Sequence, residues 1–188
     1  MIVNSHESIR MNDMSILLAY LHTDTPFDSY LLNTVANMVH NFKDEYAVND
    51  INNIKINKRL NSNGLLVGRY HNDVYYKGNP WVLTTAALAM MLKNIDLESR
   101  GILSLDREFF KAFDLDPDQD RKTSTERLHT IGRELIQSLI DIEIHNKNNQ
   151  QDRERVRVFS EQIDRENFSY LSADELTWNY VEILRSLV

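Results

Sequence analysis

Cysteine is absent from this chain of 188 residues, which rules out a disulfide framework, a thiolate metal site and a cysteine nucleophile. The absence fits a chain kept inside the cell. There is no excess of basic residues either. The formal net charge is −7 at pH 7, so the electrostatic footprint of a nucleic-acid or anionic-lipid binder is missing, and neither is expected as a partner. No apolar run approaches the roughly 20 residues a membrane-spanning helix requires. The opening residues, MIVNSHESIRMND, lack the charged-then-apolar pattern of a signal peptide. His22, His40, His71, His129 and His145 are scattered without metal-ligand spacing, so no metal site and no cofactor are expected. No internal repeat is visible.

What the chain does hold is enough apolar material for a core: 42% of its residues are hydrophobic, in a length suited to one domain. Their spacing is helical. Leu31, Leu32, Val35, Met38, Val39, Phe42 and Tyr46 predict a helix over residues 29–46. A shorter one precedes it, running through Ile16, Leu17 and Leu18 to about His22 with Asn12 or Asp13 as its cap. Residues 49–64 form a polar, Asn-rich stretch long enough to suggest a functional loop. A short extended run over residues 65–70 leads to Asn79-Pro80-Trp81, and residues 81–95 read as a helix buried on most faces, with Pro80 suited to its first turn. Residues 105–113 are expected to add a short helix. Thr123 to Glu126 fits a capping box opening a helix whose inner face is Leu128, Ile131, Leu135, Leu139 and Ile142. Residues 145–151 read as a loop and 155–158 as a brief extended segment. Ser172 to Glu175 fits a second capping box, before a final helix through Leu184 in which Trp178 and Tyr180 are expected to pack. The fold class is all-α, with functional residues on the loops.

Three segments carry a resemblance. Residues 68–81, Gly-Arg-Tyr-His-Asn-Asp-Val-Tyr-Tyr-Lys-Gly-Asn-Pro-Trp, resemble the pattern G-R-Y-P-E-D-x-Y-x-x-G-N-P-W of the glucoamylases, glycoside hydrolase family 15. Phe159-Ser160-Glu161-Gln162-Ile163-Asp164-Arg165 is similar to that family's S-E-Q-[FY]-[DN] segment, and Leu171-Ser172-Ala173-Asp174-Glu175-Leu176-Thr177-Trp178 to its L-S-A-x-D-L-T-W. Ile16 to His22 and Tyr46 to Asn49 also look like family positions. The order of these matches is the family's own, and they cover the chain from about Asn12. The resemblance implies an (α/α)6 barrel of which this chain is the C-terminal half. Residues 1–188 would then be a partial catalytic domain, without the helices that carry the general acid.

The resemblance further implies release of glucose from the non-reducing ends of α-1,4-glucans or maltooligosaccharides, with inversion. Inversion takes a carboxylic acid and a carboxylate on opposite faces of the sugar, spaced to admit water. Glu161 matches the family's general base; without the resemblance it would be one more surface glutamate. Arg69 and Asp73 match groups that hold sugar hydroxyls, against the alternative of an ordinary surface salt bridge. Tyr70 and Trp81 match aromatic substrate positions, although Trp81 at the head of a buried helix also suits core packing.

Three departures from the pattern stand out. His71-Asn72 replaces Pro-Glu, Lys77 takes a position often small or polar, and the run Arg153 to Arg157 is heavily charged. A half-ring of helices exposes raw apolar faces, so aggregation, or folding only with a complementary N-terminal half, is expected of the chain alone. Without the acid it is also expected to be inactive. The alternative is a truncated relic that keeps only glucan-binding or interaction capacity. Yeast-type relatives work in the vacuole or outside the cell, and the chain itself does not choose between these.

Overall fold

The computed structural model describes residues 12–53, 59–149, 159–174 and 176–187. Six α-helices dominate them: α1 (Ser15–His22), α2 (Ser29–Glu45), α3 (Val82–Asn94), α4 (Arg107–Ala112), α5 (Arg121–Asn149) and α6 (Thr177–Leu187). Two-residue strands β1 (Gln162–Ile163) and β2 (Tyr170–Leu171) pair antiparallel, with Gln162 opposite Leu171. The expected all-α class holds.

Helix α3 is the hub. It packs against α1, α5 and α6, while α2 packs on α4. Of its 13 residues, all but Met90, Lys93 and Asn94 are buried, as a helix with no polar face requires. On α5 the predicted stripe of Leu128, Ile131, Leu135, Leu139 and Ile142 is buried throughout. Helix α2 buries all six apolar positions predicted within it, from Leu31 to Phe42, and its first turn is closed by the Asp28 carboxylate, which accepts from the Leu31 amide at 2.8 Å.

The extended run at residues 65–68 is tied to its neighbours by side chains. Two threonines of α3 receive Val67: the Thr84 hydroxyl donates to its carbonyl at 2.9 Å, and Thr85 Oγ1 accepts from its amide at 3.1 Å. On the other flank Asn49 Nδ2 donates to Leu66 O (2.8 Å) and its Oδ1 accepts from Leu66 N (3.0 Å). Asn61 Nδ2 donates in turn to Asn49 Oδ1 at 2.8 Å. These two buried amides give the Asn-rich stretch a structural purpose, satisfying backbone that no sheet partner reaches. Gly68 belongs here by necessity, because a Cβ on it would lie 2.2 Å from the Tyr46 hydroxyl and 2.9 Å from Asn79 O.

Several expectations are corrected. Helix α5 is capped three residues before the predicted box, by Asp120, which accepts from the Thr123 amide at 2.9 Å and the Thr123 hydroxyl at 2.6 Å. The same helix continues through His145 to Asn149, where a loop was expected. Asn146 explains this extension, its Nδ2 bonding Ile142 O and Phe168 O while its Oδ1 takes the Tyr170 amide. Tertiary bonds there override a polar sequence. The cap position of the first helix falls on Met14, not on Asn12 or Asp13, although Asp13 Oδ1 accepts from the Ser15 amide at 2.9 Å. Pro80 stands outside α3, since Trp81 occupies the cap position. The extended segment expected at residues 155–158, the charged run before it and Glu175 lie outside the described residues.

Candidate active site

Two arms meet at the first turn of α3. One is the loop from Gly68 to Trp81. In it the Arg69 guanidinium forks onto Asp73, with Nε to Oδ2 at 2.7 Å and Nη2 to Oδ1 at 2.8 Å. The Tyr75 amide adds a third bond to Oδ1 at 2.9 Å. The Asp73 side chain is only 2% exposed, and Arg69 closes it off. Aromatic rings surround the guanidinium carbon: Trp81 at 4.8 Å, Tyr75 at 5.0 Å and Tyr70 at 5.3 Å from their centroids. Such stacking suits a planar, weakly hydrated cation. Burial pushes the Arg69 pKa down, but hydrogen bonding and the charge of Asp73 outweigh it, and the net shift is upward. The cation is therefore permanent.

The other arm is the segment around Glu161. Glu161 sits one residue before β1, and its backbone is fixed on both sides: its amide donates to Ala173 O at 2.8 Å and its carbonyl accepts from Val82 N at 3.2 Å. Gln162 forms an antiparallel bridge with Trp81, and Ile163 N reaches Pro80 O at 2.9 Å. The Glu161 side chain receives two donors, the Ser172 hydroxyl and Gln162 Nε2 (3.2 Å). Both fall on Oε2. Among the described residues Oε1 carries no hydrogen bond.

All five residues singled out from sequence thus gather at one end of α3. Arg69, Tyr70, Asp73 and Trp81 form a single stack, and the Trp81–Gln162 bridge brings Glu161 alongside it. The pairing of Arg69 with Asp73 is the salt bridge held open as the plainer reading, though its carboxylate is buried. Trp81 is half-buried, and its indole Nε1 is buried without a partner among the described residues. Sequence reasoning missed Ser172, Gln162 and Tyr75. Ser172 was hidden by its fit to a capping box; its backbone is left-handed (φ 69°), α6 begins five positions later, and its hydroxyl serves Glu161. Gln162 lay in the quoted Ser-Glu-Gln segment without a role, and Tyr75 in the first motif.

Beside this site an apolar groove of about 630 Å³ opens between α1 and α6, with Leu83 of α3 on its wall. Trp178 lines it and is 68% exposed, so the expectation that Trp178 packs is overturned. Tyr180 does pack, edge-on to Phe159 at 5.7 Å, its hydroxyl accepting from the Phe159 amide. On the same rim Glu182 is 2% exposed. His22 Nε2 (2.9 Å) and Arg185 Nη1 (3.2 Å) engage its Oε1, while Oε2 is buried without a partner among the described residues. No described helix is long and apolar enough to cross a membrane.

Comparison with known proteins gives a consistent answer. A family model described as "Glycosyl hydrolases family 15" matches residues 1–188. Glucoamylase-1 of Arthroderma benhamiae is 27% identical over 188 residues, covering 92% of this chain and 29% of its own length. Glucoamylase-1 of Schizophyllum commune is 30% identical over 133 residues, 64% of this chain and 21% of its own. Among solved structures, the family 15 glucoamylase from Hypocrea jecorina superposes with a TM-score of 0.70 at 24% identity, covering 98% of this chain and 32% of that one. The fold is accordingly that of part of an (α/α)6 barrel. The chain spans about a third or less of the length of these relatives.

Proposed function

The chain belongs to glycosyl hydrolase family 15, and we propose that it forms the base-bearing part of a glucoamylase catalytic domain, one that releases glucose from the non-reducing ends of α-1,4-glucans with inversion. The observation that carries this reading is the state of Glu161: Oε2 is pinned by Ser172 and Gln162, while Oε1 is left without a hydrogen bond among the described residues. A carboxylate held in that way is suited to take a proton from an attacking water. The water oxygen bonds to the anomeric carbon as the bond to the glycosidic oxygen breaks. Glu161 accepts the water's proton, and the departing oxygen takes one from an acid on the opposite face. One water is consumed and no charge is left over.

In this reading the stack beside Glu161 holds the sugar. Tyr70, Tyr75 and Trp81 offer faces for its C–H surface, and Arg69 donates to its hydroxyls. Asp73, with its oxygens taken by Arg69 and the Tyr75 amide, contributes by aiming the guanidinium rather than by touching sugar.

The general acid is proposed to come from helices outside this chain, and the groove between α1 and α6 is where they would seat. An exposed tryptophan, a predominantly apolar hollow and a buried carboxylate oxygen with no donor among the described residues are costly in a finished surface. Each is resolved by a covering element that brings apolar side chains and one hydrogen-bond donor. The test combines this chain with the N-terminal part of a glucoamylase. Glucose release from maltose, with the β-anomer formed first, is expected from the pair, none from this chain alone, and none when Glu161→Gln is used. Turnover by the lone chain that vanishes in Glu161→Gln would overturn the incompleteness. A pair that binds maltooligosaccharide without hydrolysing it would favour the relic.

A further inference from the structure

The loop that carries the aromatic stack contains an unusual stretch of backbone. Tyr76 (φ 49°), Lys77 (φ 68°) and Gly78 (φ 66°) are three consecutive left-handed residues, only the last of which is glycine. Side chains with a Cβ are strained there, and such conformations persist only where their surroundings over-determine them. The short-range bonds are few: Lys77 N to Val74 O at 3.2 Å and Gly78 N to Tyr75 O at 2.9 Å. Something beyond the turn must hold it.

Arg165 does. Its Nη1 donates to Lys77 O (3.0 Å) and Gly78 O (3.2 Å), so both strained carbonyls are taken by one nitrogen. Its Nη2 donates to the carbonyl of Glu45, the last residue of α2, and its guanidinium carbon lies 5.3 Å from the centroid of the Tyr46 ring. The Glu45 carboxylate adds a longer contact at 3.5 Å, shared with His71, and Glu166 a looser one at 3.7 Å. A guanidinium fork is the group able to serve acceptors on two elements at once.

From Arg165 the contacts run directly to the base. Its own amide donates to Asn79 Oδ1 at 3.2 Å. Asn79 Nδ2 then donates to Tyr76 O (2.8 Å) and to Gln162 Oε1 (3.1 Å), and Gln162 Nε2 donates to Glu161 Oε2. Asn79 and Gln162 are both buried, so each bond lacks competition from water.

We infer that Arg165 is a positioning residue for Glu161: it clamps the left-handed turn at Tyr76–Gly78 to the end of α2 and, through Asn79 and Gln162, sets the Glu161 carboxylate relative to the Arg69, Tyr75 and Trp81 stack. The inference rests on Glu161 being the base, but the clamp itself is a matter of geometry that can be read without turnover.

The test uses the full chain with Arg165→Met and Arg165→Lys. Carboxyl carbon-13 NMR follows Glu161, assigned through Glu161→Gln. Indole fluorescence follows Trp81 in a Trp178→Phe background, these being the two tryptophans present. Arg165→Met is expected to move both signals. Arg165→Lys, whose single ammonium reaches the turn or the α2 carbonyl but not both, is expected to move them in the same direction by less, and it decides the matter if Arg165→Met does not fold. In the enzyme completed by a glucoamylase N-terminal part, kcat is expected to fall by about 10–100-fold with KM little changed, the signature of a displaced catalytic group. Either variant, folded and with both signals unmoved, overturns the clamp. If Glu161→Gln keeps its turnover while Arg165→Met still moves both signals, the base assignment fails and the clamp remains.

Discussion

Ser172 donates its hydroxyl hydrogen to Oε2 of Glu161 from eleven residues further along the chain, and does so from a left-handed backbone position. The conformation that keeps Ser172 out of a helix is the one that turns its side chain back to Glu161. With both donors on Oε2, Oε1 carries no hydrogen bond among the described residues.

Removing that donor gives the first prediction. Ser172→Ala keeps the backbone path to Ala173 O but leaves Gln162 as the only donor to Oε2 among the described residues. A hydrogen bond to a charged group contributes about 1.5–3 kcal/mol. With the carboxylate free to rotate, glucose release by the completed enzyme is expected to fall by roughly tenfold or more. The melting temperature should hardly change, which separates a local effect from unfolding.

Asp73 is the second target. Asp73→Asn preserves shape yet leaves Arg69 without its counter-charge beneath three aromatic rings. Breaking a buried pair by removing one partner costs about 3–5 kcal/mol, less here because the Arg69 side chain keeps 31% of its exposure. A loss of about 1–3 kcal/mol in urea unfolding is expected, along with weaker binding of maltooligosaccharide, since the guanidinium is no longer aimed.

A third prediction concerns acid. Asp120 caps α5, and the bond from the Thr123 hydroxyl, followed by that from the Thr123 amide, holds its carboxyl below the ordinary range. A carboxyl depressed in the folded state stabilises fully above its unfolded pKa, about 3.9. That contribution is lost as pH falls through the lower folded value. Asp120→Asn keeps an acceptor but does not titrate. Its melting temperature should therefore lie closer to that of the parent at low pH than at neutral pH, as scanning calorimetry between the two would record.

The groove supplies the fourth. Replacing Trp178 by Gln and Val181 by Lys makes the rim of α6 polar without touching the buried face of that helix, where Ile183 packs. Sedimentation velocity is expected to show less self-association of the isolated chain. The same pair of changes should abolish recovery of glucose release with the N-terminal part. Better behaviour of the lone chain combined with undiminished recovery would mean that the missing helices seat elsewhere.

Legibility from sequence followed physical lines. Periodic apolar residues betrayed α2, and the stripe from Leu128 to Ile142 betrayed the inner face of α5, because burial on one side writes itself into spacing. Helix ends were harder: Thr123 to Glu126 satisfied the same chemical template that Asp120 fills three residues earlier. Residues 145–149 looked too polar for helix, since nothing local reveals that Asn146 bonds across to Phe168 and Tyr170. At the site, residue identities were readable from motifs, but partnerships were not. That Arg165 reaches Lys77 and Gly78 across more than 80 residues depends on a chain crossing that spacing does not record. Trp178 was misjudged because an apolar residue on a helix is normally covered, and among the described residues nothing covers this one.

Helix α3 receives both arms of the site within its opening turn: the Trp81 amide holds Val67, Thr84 and Thr85 hold it again, and the Val82 amide holds the carbonyl of Glu161. The two walls of the cleft therefore hang from a single bracket. On the proposed reading, a thermal fluctuation that tilts α3 carries Glu161 and the Arg69–Trp81 stack together, so their separation is insulated from movements of the other helices. The distance most exposed to drift is the other one, from this bracket to whatever donates the proton, and it is there that evolution would have to tune how much room a water molecule is given.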